Sequence, residues 1–149
     1  MTVYADSSFL VAVYVATAHT PIAFRLWREI GQVPLPFNAM HRLEVRNSIR
    51  RSIRETRPER RLDRHSAKLA LDALEEDLGE DLLHQPLNWT DVFRRAEEIG
   101  ERWTMETGIR AYDLFHLAAA IETRHDTVLT FDGCQAETAR KLGVTVLGG

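Results

Sequence analysis

Short apolar runs alternate with amphipathic stretches along the whole chain, and the periodicity changes from two to about 3.6 and back several times. Thr2 to Ala5 is β-prone and ends at Asp6-Ser7-Ser8, residues that cap a helix beginning near Phe9. The β-branched residues from Phe9 to Val15 leave a longer strand open as the alternative. A second helix is predicted from Thr20 to Ile30, with Pro21 at its start, Gly31 past its end, and Ile22, Leu26 and Ile30 on its inner face. Val33 to Phe37 reads as a strand, and Asn38 caps a helix that carries Leu43, Val45, Ile49 and Ile53 inward until Pro58. The next helix runs from Glu59 to Asp77 on Leu62, Leu69, Leu71 and Leu74, and Gly79 stops it. Leu82 to Leu87 is a third strand. Asn88 or Thr90 then caps a helix to Thr107 with Val92, Phe93, Ala96, Ile99 and Trp103 inward, ended by Gly108. After a helix from Arg110 to Glu122 come a strand at Thr127 to Phe131, a helix from Gln135 to Leu142 and a strand at Val144 to Leu147. Strands separated by one or two helices throughout predict an α/β fold of three layers, α/β/α, with a central parallel sheet of about five strands. The 149 residues suit one domain, and no internal repeat or linker interrupts them.

The helix from Arg110 to Glu122 is the anomaly in this pattern. It is apolar from Ala111 to Ile121 except for Asp113 and His116, so it should be buried, and an ionised carboxylate is costly to bury without a partner. A structural explanation exists, because Asp113 lies in the first turn, where free backbone amides stabilise a carboxylate. The alternative is a metal or catalytic role.

Charge is unevenly spread. The net charge is −3, yet residues 42 to 68 hold ten of the nineteen Lys and Arg against four acids, a local balance of +6, and the remainder nets −9. This asymmetry is compatible with a basic surface that holds phosphates and an acidic site that acts on them, or with a solvated helical face. Cys134 is the only cysteine, which removes intrachain disulfides and cysteine-based metal sites. No basic segment precedes the first apolar run, and the longest such run, Phe9 to Ala18, is too short to span a bilayer. A soluble cytoplasmic protein is expected.

In an open parallel sheet the ligand site lies beyond the carboxyl ends of the strands. Asp6 follows the first strand and Asp132 the fourth. The helices carrying Glu44 and Asp113 both begin at that edge, so four acids are expected to converge from separated parts of the sequence. Two carboxylates about 4 Å apart repel by about 4 kcal/mol at an effective dielectric near 20. A bound cation is the natural compensation, and all-oxygen ligands favour Mg²⁺ or Mn²⁺ over Zn²⁺. Around the four, Thr130 can share a face with Asp132 and orient a metal water, although core packing accounts for it equally. Asn47 stands one turn after Glu44 and can hold it or a phosphate. Arg110 can pair with Asp113 or contact substrate. His116 reads first as a satisfied, partly buried histidine, and Ser7 and Ser8 as cap residues, one hydroxyl of which can reach the metal site.

Together, Asp6-Ser7-Ser8 after the first strand, Leu43-Glu44-Val45-Arg46-Asn47, Arg110-Ala111-Tyr112-Asp113-Leu114-Phe115-His116-Leu117-Ala118-Ala119-Ala120 and Leu129-Thr130-Phe131-Asp132 make the chain resemble the PIN domain nucleases, and within them the bacterial VapC-type toxins. The resemblance covers nearly the whole chain. It implies that Asp6, Glu44, Asp113 and Asp132 bind one or two Mg²⁺ or Mn²⁺ ions, that the activity is endoribonuclease, and that a cognate antitoxin and a homodimer are partners. Arg46 and Arg50 are then candidates for RNA phosphate contacts, and the helices from Phe9 to Ile30 and Arg50 to Leu71 for the dimer or antitoxin surface. Gly133-Cys134 departs from the bulkier or charged residues many relatives carry there, which bears on substrate contacts. A haloacid-type phosphatase fits worse, because Ser8 stands where its second Asp belongs, as does a phosphotransfer receiver, because Lys141 falls within a helix. A non-catalytic RNA-binding module would have no need of four acids that repel phosphate.

Overall fold

In the computed structural model, which describes residues 1 to 149, the chain alternates as the sequence pattern requires. The elements are β1 (Val3–Ala5), α1 (Ser7–Tyr14), α2 (Thr20–Glu29), β2 (Leu35–Phe37), α3 (Ala39–Arg51), α4 (Arg64–Asp77), β3 (Leu82–His84), α5 (Trp89–Thr107), α6 (Ala111–Glu122), β4 (Thr127–Leu129), α7 (Gly133–Lys141) and β5 (Thr145–Leu147). Two 3₁₀ turns, Ser52–Arg54 and Pro58–Arg60, separate α3 from α4. No helix is long and apolar enough to cross a membrane.

The chain divides into two compact units, Met1–Asp6 with Pro86–Gly149, and Ser7–Gln85. In the first, β1, β4 and β5 form a parallel sheet with β4 in the centre, in a register that sets Ala5 opposite Leu129 and Leu129 opposite Leu147. Val3, Tyr4 and Ala5 are all buried, as are Val128 and Leu129, which is why these segments read as continuous apolar runs. Helix α5 packs along α6 and against α7. Gly100 lies at the close approach of α5 to α6, where a Cβ would stand 3.0 Å from the Leu114 side chain. Asn88 accepts from the Asp91 N–H to start α5, and Gly108, at φ +69°, ends it.

In the second unit β2 and β3 pair in parallel, Leu35 opposite Leu82 and Phe37 opposite His84, while α1 packs on α2, α3 and α4. The five strands expected in one sheet are therefore hydrogen-bonded as a ladder of three and a ladder of two, all parallel. Ser7 to Tyr14 is helical, which removes the longer-strand alternative.

Several details differ from expectation. The helix placed at Glu59 to Asp77 starts at Arg64, because Asp63 caps it by accepting the Ser66 N–H at 2.7 Å and Pro58 begins a separate 3₁₀ turn. On α2 the buried positions are Ala23 and Trp27; Ile22, Leu26 and Ile30 lie on the adjacent, half-buried stripe. The indole turns inward because it covers more apolar area, and its N–H donates to the Val33 carbonyl at 2.9 Å. Leu43, Leu69 and Phe93, expected inward, are 62%, 55% and 56% exposed. Leu43 yields the inner face of α3 to His41, Val45 and Ile49, and Leu69 yields that of α4 to Ala67, Ala70 and Leu74. Phe93 instead joins an aromatic group with Trp89 and Phe115, the ring centroids 5.7 Å from Phe115.

Candidate active site

Asp6 leaves β1 with its backbone still in the ladder, its N–H donating to the Leu129 carbonyl at 2.9 Å. The residue is 2% exposed, so its carboxylate needs donors. One comes from Thr130, the residue just past β4, whose hydroxyl is buried 2.7 Å from Asp6 Oδ2. The same hydroxyl stands 2.9 Å from Gln135 Oε1 and accepts the Asp132 N–H at 3.0 Å. Thr130 thus couples the ends of β1 and β4.

Asp132 caps α7. Its Oδ1 accepts the Gln135 N–H at 2.8 Å, so the helix start fixes the carboxylate and leaves Oδ2 pointing away from the cap. Gln135 in turn donates from Nε2 to the Asp113 carbonyl at 3.3 Å, tying α7 to the start of α6. Asp113 lies in the first turn of α6, as its position in the sequence predicted.

Arg110 joins the last two acids. It occupies the N-cap position of α6 without capping through its side chain. Its Nε donates to Asp113 Oδ2 at 3.2 Å and its Nη2 to Asp132 Oδ2 at 3.2 Å, one prong of the guanidinium on each carboxylate. Burial, followed by repulsion from Asp132, raises the Asp113 carboxyl above the ordinary aspartate value, and the Arg110 charge opposes both. The field of Asp113, and then of Asp132, raises the Arg110 guanidinium correspondingly. The first unit thus gathers Asp6, Asp113 and Asp132 into one hydrogen-bonded network with Thr130, Gln135 and Arg110.

The other sequence candidates lie apart from that network. His116 is 1% exposed, with Nδ1 2.9 Å from the Tyr4 hydroxyl and its ring edge-on to Phe115; it is fully, not partly, buried. Glu44 belongs to the second unit, in the second turn of α3, where the Ser7 hydroxyl donates to its Oε2 at 2.5 Å. Ser7 donates to that carboxylate, whereas Asn47 is exposed to solvent. Arg46 is engaged by Glu75, which also pairs with Arg42 at 3.1 Å, whereas Arg50 is exposed and forms no ion pair. Gln135 was not singled out from the sequence. The available signal was its place three residues after Asp132, at the third position of a capped helix.

The oxygen-only donors at Asp113 and Asp132 suit a hard cation, and the two already converge on a single positive charge. No group of three or more His, Cys, Asp and Glu side chains is placed to hold a metal ion as the side chains stand. In kind the residues fit a divalent ion; in number, the converged set is two.

No curated protein matches the chain. The family model described as PIN domain matches residues 3 to 141, from β1 to the end of α7 and across both units. That span includes each of the acids at the ends of β1 and β4 and at the starts of α3 and α6, and the chain belongs to the PIN domain family.

Proposed function

We propose that this protein is a Mg²⁺- or Mn²⁺-dependent endoribonuclease, and that it is the toxin of a toxin–antitoxin pair of the VapC type. The observation that carries the catalytic part is the network at the ends of β1 and β4 and the start of α6, where two carboxylates share one cation and a third is held beside them through Thr130. Family membership supports a nuclease. Asp6, Asp113 and Asp132 would hold the ion, and Glu44 is assigned as the fourth carboxylate on its place in the sequence motif. Bound there, a divalent ion would supply an activated water and neutralise charge on a phosphodiester. The protein's own part is to fix the oxygens: Thr130 orients Asp6, the start of α7 orients Asp132, and Ser7 orients Glu44. Arg50 is proposed for RNA phosphate contact, with Arg46 beside it on α3; such contacts position a strand without reading its sequence. The antitoxin and a homodimer follow from the VapC resemblance.

The test is cleavage of single-stranded RNA with and without Mg²⁺ or Mn²⁺. Asp6→Asn and Asp113→Asn should each abolish divalent-dependent cleavage with an unchanged circular dichroism spectrum. Wild-type rates in both variants would overturn the assignment. RNA binding without cleavage by the wild type would instead favour a binding module.

A further inference from the structure

We propose that Arg110 is a resident counter-ion that occupies the cation position between Asp113 and Asp132, so that a divalent ion binds by displacing it and Arg110 sets how much metal the protein requires. The inference rests on the metal-dependent reading above. Its own basis is geometric.

A guanidinium is a rigid planar fork, and forks of this kind ordinarily close on one carboxylate with both prongs. Here the prongs are divided. Nε takes Asp113 Oδ2 and Nη2 takes Asp132 Oδ2, both at 3.2 Å, so one charge serves two acids from different elements. The two acids are mostly shielded, at 14% and 23% side-chain exposure, while the arginine is 76% exposed. The carboxylates are therefore shielded features of the fold, and the cation is an exposed one laid over them from the solvent side. Nothing else holds Arg110 in place: it stands at the N-cap of α6 but makes no cap bond through its side chain. Exposed ion pairs are weak, so this occupant is easily displaced. The carboxylates, left alone, repel one another, and so an unliganded protein without Arg110 would carry that repulsion. A cation of higher charge and smaller radius meets the same oxygens more strongly. Arg110 and the divalent ion consequently compete for Asp113 and Asp132.

The decisive measurement is calorimetric titration of Mn²⁺ into RNA-free protein, which reads affinity without requiring catalysis. Arg110→Gln removes the competitor from an exposed position and should tighten Mn²⁺ binding by about threefold to fivefold relative to wild type. Its melting temperature without metal should fall, and Mn²⁺ should raise it by more than it raises the wild type. Arg110→Lys keeps the charge but has one ammonium in place of the fork, and should bind Mn²⁺ with an affinity between the two. Unchanged or weaker affinity in Arg110→Gln, with wild-type binding intact, overturns the competition alone, as does an Arg110→Lys protein indistinguishable from wild type. Failure of the metal reading looks different: Mn²⁺ then binds equally well to wild type and to Asp113→Asn, or to neither, and the inference falls with it.

Discussion

Tyr4 and His125 illustrate how a single side chain near the sheet makes stability depend on pH. His125 follows α6 with Nδ1 2.8 Å from the Thr123 hydroxyl and its ring edge-on to Tyr4. Burial lowers its pKa below the ordinary value of 6.5, and the neighbouring Asp126 only partly opposes this. Folding therefore favours the neutral ring. Between the lowered native value and 6.5 the unfolded chain binds more protons than the folded one, so stability is present above that window and is lost as pH falls through it. Melting curves from about pH 7.5 down to pH 5 should show a steeper loss for wild type than for His125→Asn. Parallel losses would mean that His125 is not responsible. At Thr130 the prediction concerns a hydroxyl. Thr130→Val keeps the shape and removes a donor to a buried carboxylate, so it should destabilise the protein by about 1 to 3 kcal/mol in urea titration. A loss under about 0.5 kcal/mol would show that Asp6 is held by other groups. The acids Asp6, Asp113 and Asp132 were legible in the sequence because each stands at the end of a strand or the start of a helix. The fork of Arg110 was legible only in half: spacing of three exposes the Asp113 pair, but Asp132 is 22 residues away and only the fold brings it near.

At the scale of elements, the order and kind of secondary structure followed from periodicity, capping residues and Gly punctuation. Which face of a helix turns inward did not follow so simply. On α2, a stripe of Ile22, Leu26 and Ile30 outranks Ala23 and Trp27 by hydropathy, yet the indole decides, since one Trp buries more area and finds an acceptor in Val33. On α3 and α4 the exposed Leu43 and Leu69 lie off the buried faces, which are formed by His41, Val45 and Ile49 and by Ala67, Ala70 and Leu74. Periodicity locates a stripe to within one residue, or about 100° of rotation, and neighbours fix the remainder. A paired measurement checks the assignment. Trp27→Ala should cost about 3 to 5 kcal/mol, through lost burial and the cavity left behind. Leu43→Ala, removing a side chain that is 62% exposed, should change stability by no more than about 0.5 kcal/mol. Comparable losses from the two would place Leu43 against something in solution. The division of strands into ladders of three and two could not be read from the sequence either, since strand order is a property of pairing, whereas alternation reports only that the pairing is parallel.

For the molecule as a whole the informative quantity is its charge asymmetry. Residues 42 to 68 carry a balance of +6 within a chain of net charge −3, so the protein as a whole repels polyanions weakly while one segment attracts them. The structure also distinguishes arginines that are already neutralised from those that are not. Arg42 and Arg46 share Glu75, and Arg57 pairs with Glu55, while Arg50 is exposed and forms no ion pair. Phosphate binding releases counterions, and an arginine that contacts phosphate contributes a definite increment to the salt dependence of affinity. Binding of single-stranded RNA to Asp113→Asn protein, the variant proposed above to lack cleavage, should therefore weaken linearly on a log–log plot against salt. Arg50→Ala should reduce the magnitude of that slope by about 0.7 to 1. Arg46→Ala removes a guanidinium whose charge Glu75 already meets, and should change the slope by less than about half as much. A slope untouched by Arg50→Ala would remove α3 from the RNA-binding surface; an equal effect from Arg46→Ala would mean that RNA displaces Glu75, making that ion pair part of the binding equilibrium.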